Sequence, residues 1–302
     1  MDNADRSAYL RQVRAYYDRN TAHFLRWGRD EGTFNIHGAL WPPEVRSLAA
    51  AMNHANELIA REIERCPYPA HRVLDLGCGV GGTLFYLGRR LPGLRRLQGI
   101  SLSPVQVSRA RRRIPEGQGD RFHFVEGCFL QPPGGGLQAD LAYAIEAFTH
   151  GPDPDLFFGV QAEALPPRGR LVLVDDCLSG RAAAARLSDR HAQLLDRYRR
   201  NWLLPGLCTV PALESIGAAK GFRLVRNRDL TPHLRLGRPR DRAIALLVRW
   251  FGRRMERHIY LKALVGGDAK QKCYRAGLID YRLLVFEKHA GGGDCRPSRV
   301  LL

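Results

Sequence analysis

The sequence predicts an α/β fold built on a doubly wound parallel sheet, and three observations carry that prediction. From residue 72 onward, short apolar runs alternate with amphipathic runs of helical period, the pattern of repeated strand and helix units. One apolar run, Val73-Leu74-Asp75-Leu76, passes directly into Gly77-Cys78-Gly79-Val80-Gly81-Gly82 and then into an apolar helical stretch. Glycines there let the backbone turn tightly and approach a ligand where a side chain would block it, although an ordinary strand-to-helix turn can look the same. Prolines punctuate the boundaries, with Pro104 near a helix start and Pro166-Pro167 after a helix end. No Lys-Ser/Thr pair follows the last glycine, which removes the phosphate-loop reading.

The elements follow in order. Residues 5–27 read as an amphipathic helix, with Tyr9, Val13, Tyr16, Tyr17 and Phe24 near one face and arginines on the other. Gly32 to Gly38 is loop-like. Trp41-Pro42-Pro43 is expected to start a second helix, with Val45, Leu48, Met52 and Ile59 at helical spacing, stopped by Cys66-Pro67-Tyr68-Pro69. Strands are expected over 72–76, 97–101, 121–125, 139–145 and 169–175, with helices over 83–90, 104–113 and 154–165 between them; Pro132 to Gly136 reads as a loop. The alternation then pauses for a polar, arginine-rich helical stretch at 181–204. Thr209-Val210-Pro211 starts a helix that Gly221 ends, and a strand begins at 222–225. A second inserted helical stretch covers 235–264, with Ile244, Leu247, Val248 and Phe251 on its apolar side, and the last strand is 280–288.

Composition narrows the function classes. A chain of 302 residues, 45% hydrophobic, can bury a sizeable core. No apolar run is long enough to span a bilayer, and Met1-Asp2-Asn3-Ala4-Asp5 is polar and acidic, unlike a signal peptide, so a cytoplasmic protein without a membrane partner is expected. The seven cysteines are scattered, with no zinc spacing, and no metal site is expected. The net charge of +17 is almost all arginine, since only five residues are lysine. Such an excess suits either nucleic acid, an anionic small molecule, or a general compositional bias. No RNA-binding module, basic tail or aromatic-interleaved platform accompanies it, so a nucleic-acid partner is not expected.

The run around the glycine turn resembles the first motif of the class I S-adenosylmethionine-dependent methyltransferases, hydrophobic-x-D/E-x-G-x-G-x-G. That resemblance implies a Rossmann-like seven-stranded sheet whose last strand inserts antiparallel, with S-adenosyl-L-methionine as cofactor. It also implies a helical lid at 1–66, a cofactor-binding core at 67–180, and helical insertions with the last two core strands at 181–290; residues 291–302, including Gly291-Gly292-Gly293, are expected to be a disordered tail. By the same resemblance, the backbone of Gly77, Cys78, Gly79 and Gly81 would run along the methionine part of the cofactor, with Asp75 at the site ordering the turn. The second strand end, Gly99-Ile100-Ser101-Leu102-Ser103-Pro104-Val105-Gln106, lacks the family's usual acidic residue. It is similar to the version in cyclopropane-fatty-acid-synthase-like and terpenoid enzymes, in which Ser101 and Gln106 would hold the ribose. Gly127, Cys128 and Phe129 would pack on the adenine, with Ile145 also at the cofactor.

Tyr143-Ala144-Ile145-Glu146-Ala147, followed by His150-Gly151-Pro152-Asp153, resembles a segment of sterol side-chain methyltransferases and is related to tocopherol-type enzymes. The expected reaction is methylation of a small molecule, at carbon on a terpenoid or prenyl substrate through a carbocation. Glu146 would stabilise the cation and take its proton, with His150 as a second base. Tyr16, Tyr17 and Trp41 would supply aromatic faces. Arg235 and Arg238 would grip a diphosphate, with Mg only in that case, or else form a solvated basic surface. An N- or O-methyltransferase of secondary metabolism is the alternative, followed by a nucleic-acid methyltransferase and a catalytically silent member of the fold. Oligomeric state stays open, a homo-oligomer included.

Overall fold

The structure, a computed structural model, describes residues 3–27, 32–132, 137–184 and 187–290. The expected tail at 291–302 and the glycines of the loop at 133–136 lie outside the described residues. A seven-stranded sheet in the order β3-β2-β1-β4-β5-β7-β6 forms the centre. Its strands are β1 (Arg72–Leu76), β2 (Arg96–Ser101), β3 (Phe122–Glu126), β4 (Leu141–Ile145), β5 (Arg170–Leu178), β6 (Phe222–Asp229) and β7 (Ile279–Lys288). The first five run parallel; β7 lies antiparallel between β5 and β6, as the family resemblance implied.

Strand order reverses beside β1, where Val73 pairs with Leu97 on one side and Leu141 on the other. A crevice at the carboxyl ends of β1 and β4 follows from that reversal, the place where open α/β sheets bind ligands. Continuous apolar runs make these the central strands: β4 is Leu-Ala-Tyr-Ala-Ile, and β5 has seven consecutive buried residues. On one side of the sheet, residues such as Ile59, Leu84 and Leu87 pack with Val73 and Leu97. On the other, Phe148, Phe157, Phe158, Phe222 and Phe286 meet edge to face.

Local signals start most helices where expected. Ser103 caps α4 (Pro104–Arg111), Asp153 caps α5 (Pro154–Ala164), and Thr209 caps α8 (Val210–Ala219), each side-chain oxygen accepting from a first-turn amide. α3 (Gly82–Arg90) follows the glycine turn. The second helix differs from expectation: α2 (Leu48–Glu64) begins at its cap Ser47, not at Trp41. Trp41 instead donates its amide to the carbonyl of His233, which draws residues 40–45 into a non-helical path.

The long β7 extends β5 to Leu178 and β6 to Asp229, beyond their expected ends, because it offers partners along both edges. After β5 come α6 (Gly180–Ala184) and α7 (Asp189–Trp202). The stretch expected at 235–264 is two helices, α9 (Pro239–Met255) and α10 (Ile259–Arg275), and α10 packs along α7. The expected apolar side of α9 is a further correction. Val248 is buried, but Leu247 and Phe251 are 51% and 57% exposed because α10 covers only the opposite side of the helix. α1 (Asn3–Trp27) touches both α4 and α10, and so reaches from the sheet's carboxyl edge to the C-terminal helices.

Candidate active site

A cavity of about 610 Å³ opens at the carboxyl ends of β1, β2, β4 and β5, roofed by α1 and walled by α9 and α10. A smaller recess of about 50 Å³ shares Asn35, His37, Gly77, Gly79 and Ile145 with it. Of the residues expected at the cofactor, Gly77, Gly79, Ser101, Gln106, Phe129 and Ile145 line the cavity, and Asp75 and Cys78 line the recess. Gly81, Gly127 and Cys128 line neither. Gly81 begins α3 and faces Phe85 and Phe124; the Gly127 amide donates to Ser101 O; the Cys128 sulfur accepts from the Leu130 amide. Six described cysteines are free thiols.

The turn's first glycine has no room for a side chain because the backbone packs against Ala147. Gly77 has φ +102°, and a Cβ there would come within 2.4 Å of the Ala147 Cβ. Asp75 lies beneath it, accepting from the Tyr143 hydroxyl at 3.0 Å, and burial pushes its pKa up to about 7. At the end of β2 the Ser101 hydroxyl donates to Gln106 Oε1 at 2.8 Å. Gln106 Nε2 donates to Thr21 of α1 at 3.1 Å, and Ser103 donates to Asp18. A hydroxyl and an amide thus stand where an acidic residue was absent from the sequence, and α1 is bonded directly to them. These features fit S-adenosylmethionine: a glycine cradle at the switch point and a polar pair at the neighbouring strand end.

Glu146 directly follows β4 in a left-handed conformation, φ 48°, uncommon for a residue with a side chain and found at sites held by their surroundings. Its Oε1 accepts from the Gly38 amide at 2.9 Å and the Tyr281 hydroxyl at 3.0 Å; its Oε2 lies 3.8 Å from the Lys270 ammonium. Burial alone would raise its pKa, but Lys270, His37 and these donors outweigh burial and hold it below the usual carboxylate range. Lys270 also reaches Asp176 at 3.1 Å and sits 5.0 Å from the ring centre of Trp202 and 5.7 Å from that of Tyr281. Asp176 accepts from the hydroxyls of Tyr198 and Tyr274. Its neighbour Asp175 accepts from the amide and hydroxyl of Thr149, and burial followed by repulsion from Asp176 pushes it up to about 7.

His150 is buried and doubly engaged. Its Nδ1 faces the Leu203 carbonyl at 2.8 Å and must donate, which leaves Nε2 to accept from Tyr17 of α1 at 2.6 Å. Burial lowers its pKa to about 4. The imidazole therefore ties the roof helix to the site, and any proton it receives comes through Tyr17. Tyr16, Tyr17 and Trp41 all line the cavity, as expected. The Arg235 guanidinium stacks 3.5 Å above the Trp41 ring, and Arg238 hydrogen-bonds Asp241 at the start of α9. Both arginines line the cavity while exposed to solvent, so they mark its mouth.

Sequence reasoning missed Lys270, Tyr281, Tyr198, the Asp175-Asp176 pair and the Asn35–His37 loop. The aspartates were findable, since consecutive carboxylates stood near the end of a parallel strand. The loop's signal was the uncharged polar group Asn53-His54-Ala55-Asn56 facing the core side of α2: Asn56 and Asn53 bond Asn35, and Asn56 bonds His37 and Thr83.

The class of the protein follows from the domain and the fold. Residues 74–171 match the family model described as a methyltransferase domain, and the sheet is that of the class I methyltransferases. Residues 74–171 thus carry a methyltransferase domain, within a sheet that has the fold of the class I methyltransferases. Among curated proteins it is similar to methyltransferase GfsG of Streptomyces halstedii, 32% identical over 57% of this chain and 60% of that protein. It is also similar to 24-methylenesterol C-methyltransferase 2 of Oryza sativa subsp. japonica, 31% identical over 54% of this chain and 44% of that protein. The chain thus spans about half the length of these relatives. A solved structure of geranyl diphosphate C-methyltransferase from Streptomyces coelicolor, in complex with Mg²⁺, a geranyl thiolodiphosphate and S-adenosyl-L-homocysteine, shares the fold with a TM-score of 0.67. That likeness has 20% identity and covers 93% of this chain and 98% of that one.

Proposed function

We propose that the chain is an S-adenosylmethionine-dependent methyltransferase that methylates carbon on a small terpenoid or prenyl acceptor in natural-product biosynthesis, in the cytoplasm. The observation that carries the reading is Glu146, a carboxylate held ionised next to the glycine cradle and on the wall of an aromatic-lined cavity. Gly77, Gly79, Ser101, Gln106, Phe129 and Ile145 would hold the cofactor, which when bound supplies an electrophilic methyl group. The chain's own residues position the acceptor and manage a charge and a proton.

An alkene that takes a methyl group becomes a carbocation, which needs a nearby negative charge and aromatic faces and then a weak base. Glu146 meets the first and last needs, because a carbocation gives up its proton even to a carboxylate of low pKa. Tyr16 and Tyr17 line the same cavity. Oxygen methylation would require a base matched to a hydroxyl; Glu146 is held low, His150 is lowered to about 4, and Asp175, raised to about 7, is engaged by the amide and hydroxyl of Thr149. The sterol C-methyltransferase relative and the geranyl diphosphate C-methyltransferase of like fold support the acceptor class. Arg235 and Arg238 at the mouth, with Arg242, Lys272 and Arg275 on the same wall, suit a diphosphate. A Mg ion would accompany the anion only if the acceptor is a diphosphate, held chiefly by the phosphates themselves.

Calorimetry should detect S-adenosylmethionine binding that Gly79→Arg abolishes. Glu146→Gln should keep that affinity and lose turnover by about 10²- to 10⁴-fold. Absence of binding by the wild-type chain removes the whole reading, and an unimpaired Glu146→Gln removes carbon methylation with Glu146 as base.

A further inference from the structure

The outer face of α9 is apolar and uncovered. Leu246, Leu247, Trp250 and Phe251 are 63%, 51%, 71% and 57% exposed. Around them stand the exposed arginines 249, 253, 254 and 257. The helix and the turn after it carry two acids, and both are engaged within the fold: Asp241 with Arg238 and Glu256 with Arg197. The outward face is therefore large, apolar and of one charge sign. Such a face is costly in water and marks a binding surface.

The face also borders the cavity mouth. Arg242 and Ala245 of α9 line the cavity, and Leu246 and Trp250 continue along the helix one turn apart beyond Arg242. Tyr260 and Leu261 at the start of α10 both line the cavity and are exposed, so an apolar strip runs from the outside of α9 to the opening.

We propose that this face docks on an anionic lipid bilayer, with Trp250, Phe251, Leu246 and Leu247 in the headgroup layer, the arginines against lipid phosphates, and the cavity mouth at the bilayer surface. A helix with aromatic and aliphatic residues on one face and arginines beside them lies in the interface without crossing it. Among the described residues no helix is long and apolar enough to span a membrane, so the contact is peripheral. A second copy of the chain is a poorer occupant, because a two-fold contact through this face would set its arginines against themselves. Docking rests on α9 alone. That it delivers an apolar acceptor directly into the cavity rests on the methyltransferase reading.

The test uses the full chain and vesicles of phosphatidylcholine with or without phosphatidylglycerol. The wild type should sediment with the phosphatidylglycerol vesicles, less so as salt rises, and far less with phosphatidylcholine alone. Trp250→Ser with Phe251→Ser, and separately Arg249→Gln with Arg253→Gln and Arg254→Gln, should each weaken vesicle binding by about tenfold or more. S-adenosylmethionine affinity, measured by calorimetry on the same variants, should not change, which separates failure of docking from failure of the methyltransferase reading. Docking is overturned by no sedimentation with anionic vesicles, by equal binding to both vesicle types, or by variants that bind like the wild type. Self-association that Trp250→Ser with Phe251→Ser abolishes, without vesicle binding, overturns it too and gives the face to a second copy.

Discussion

The glycine cradle and the cavity floor around Glu146 meet at Ala147, yet they are made in opposite ways. The cradle is backbone: Gly77 approaches Ala147 so closely that a Cβ has no room, and its parts lie within one stretch of a few residues. The floor is side chains from distant segments, with Glu146 just after β4, Asp176 of β5, Tyr198 of α7, Lys270 and Tyr274 of α10 and Tyr281 of β7 bonded into one network. A backbone site tolerates no added atoms. A side-chain network tolerates exchange of a member only when its partners stay compensated.

The largest expected effect breaks the cradle. Gly77→Val, at φ +102° and without space, should abolish S-adenosylmethionine binding in calorimetry and cost about 3 kcal/mol or more in denaturant unfolding. Gly93→Ala, where an added Cβ meets nothing within 4 Å, should do neither. In the floor, Lys270→Met leaves Asp176 buried without its cation and should cost about 3–5 kcal/mol. Adding Asp176→Asn should return part of that loss, because the neutral amide needs no counter-charge. A double variant no more stable than Lys270→Met would break the account of the floor as a compensated charge cluster.

A third prediction separates the two regions by pH. Asp75, under the cradle, is raised from 3.8 to about 7, so the folded chain keeps a proton there that the unfolded chain releases. Its contribution is full below about pH 4 and lost as pH rises through 7. Asp75→Asn should remove that loss, so its stability relative to wild type should be higher by about 1 kcal/mol or more at pH 8 than at pH 4. The difference between the two chains isolates Asp75, since Asp175 shifts in the same direction in both. The smallest effect is at the tie between roof and site. Tyr17→Phe removes the hydroxyl donated to His150 and should cost about 1 kcal/mol in stability, with cofactor affinity retained.

The same contrast explains what the sequence could show. The strands of the parallel core, the helix starts at Pro104, Pro154 and Thr209, and the glycine turn were legible because each signal is local. Ser101 and Gln106 were legible as a pair through the resemblance of their segment to the cyclopropane-synthase-like version, and the structure bonds them to each other. Lys270 was not. Nothing in Gly266-Gly267-Asp268-Ala269-Lys270 distinguishes it from a solvated lysine; only the packing of α10 on α7 brings it to Trp202 and Asp176. The start of α2 was misplaced because a proline pair is a generic helix start, whereas the pairing of Trp41 with His233, nearly two hundred residues away, is invisible locally. The apolar positions of α9 had the period of a packed face and were read as one; period alone does not say whether protein or something else covers a face.

The most direct test of the central claim is transfer of a labelled methyl group from S-adenosylmethionine to prenyl acceptors, beginning with geranyl and farnesyl diphosphates, with the labelled product's connectivity read by NMR. The account predicts a new carbon–methyl bond in the prenyl chain, formed by the wild type and lost in Glu146→Gln. A methyl group on oxygen or nitrogen, or carbon methylation that persists in Glu146→Gln, would contradict it.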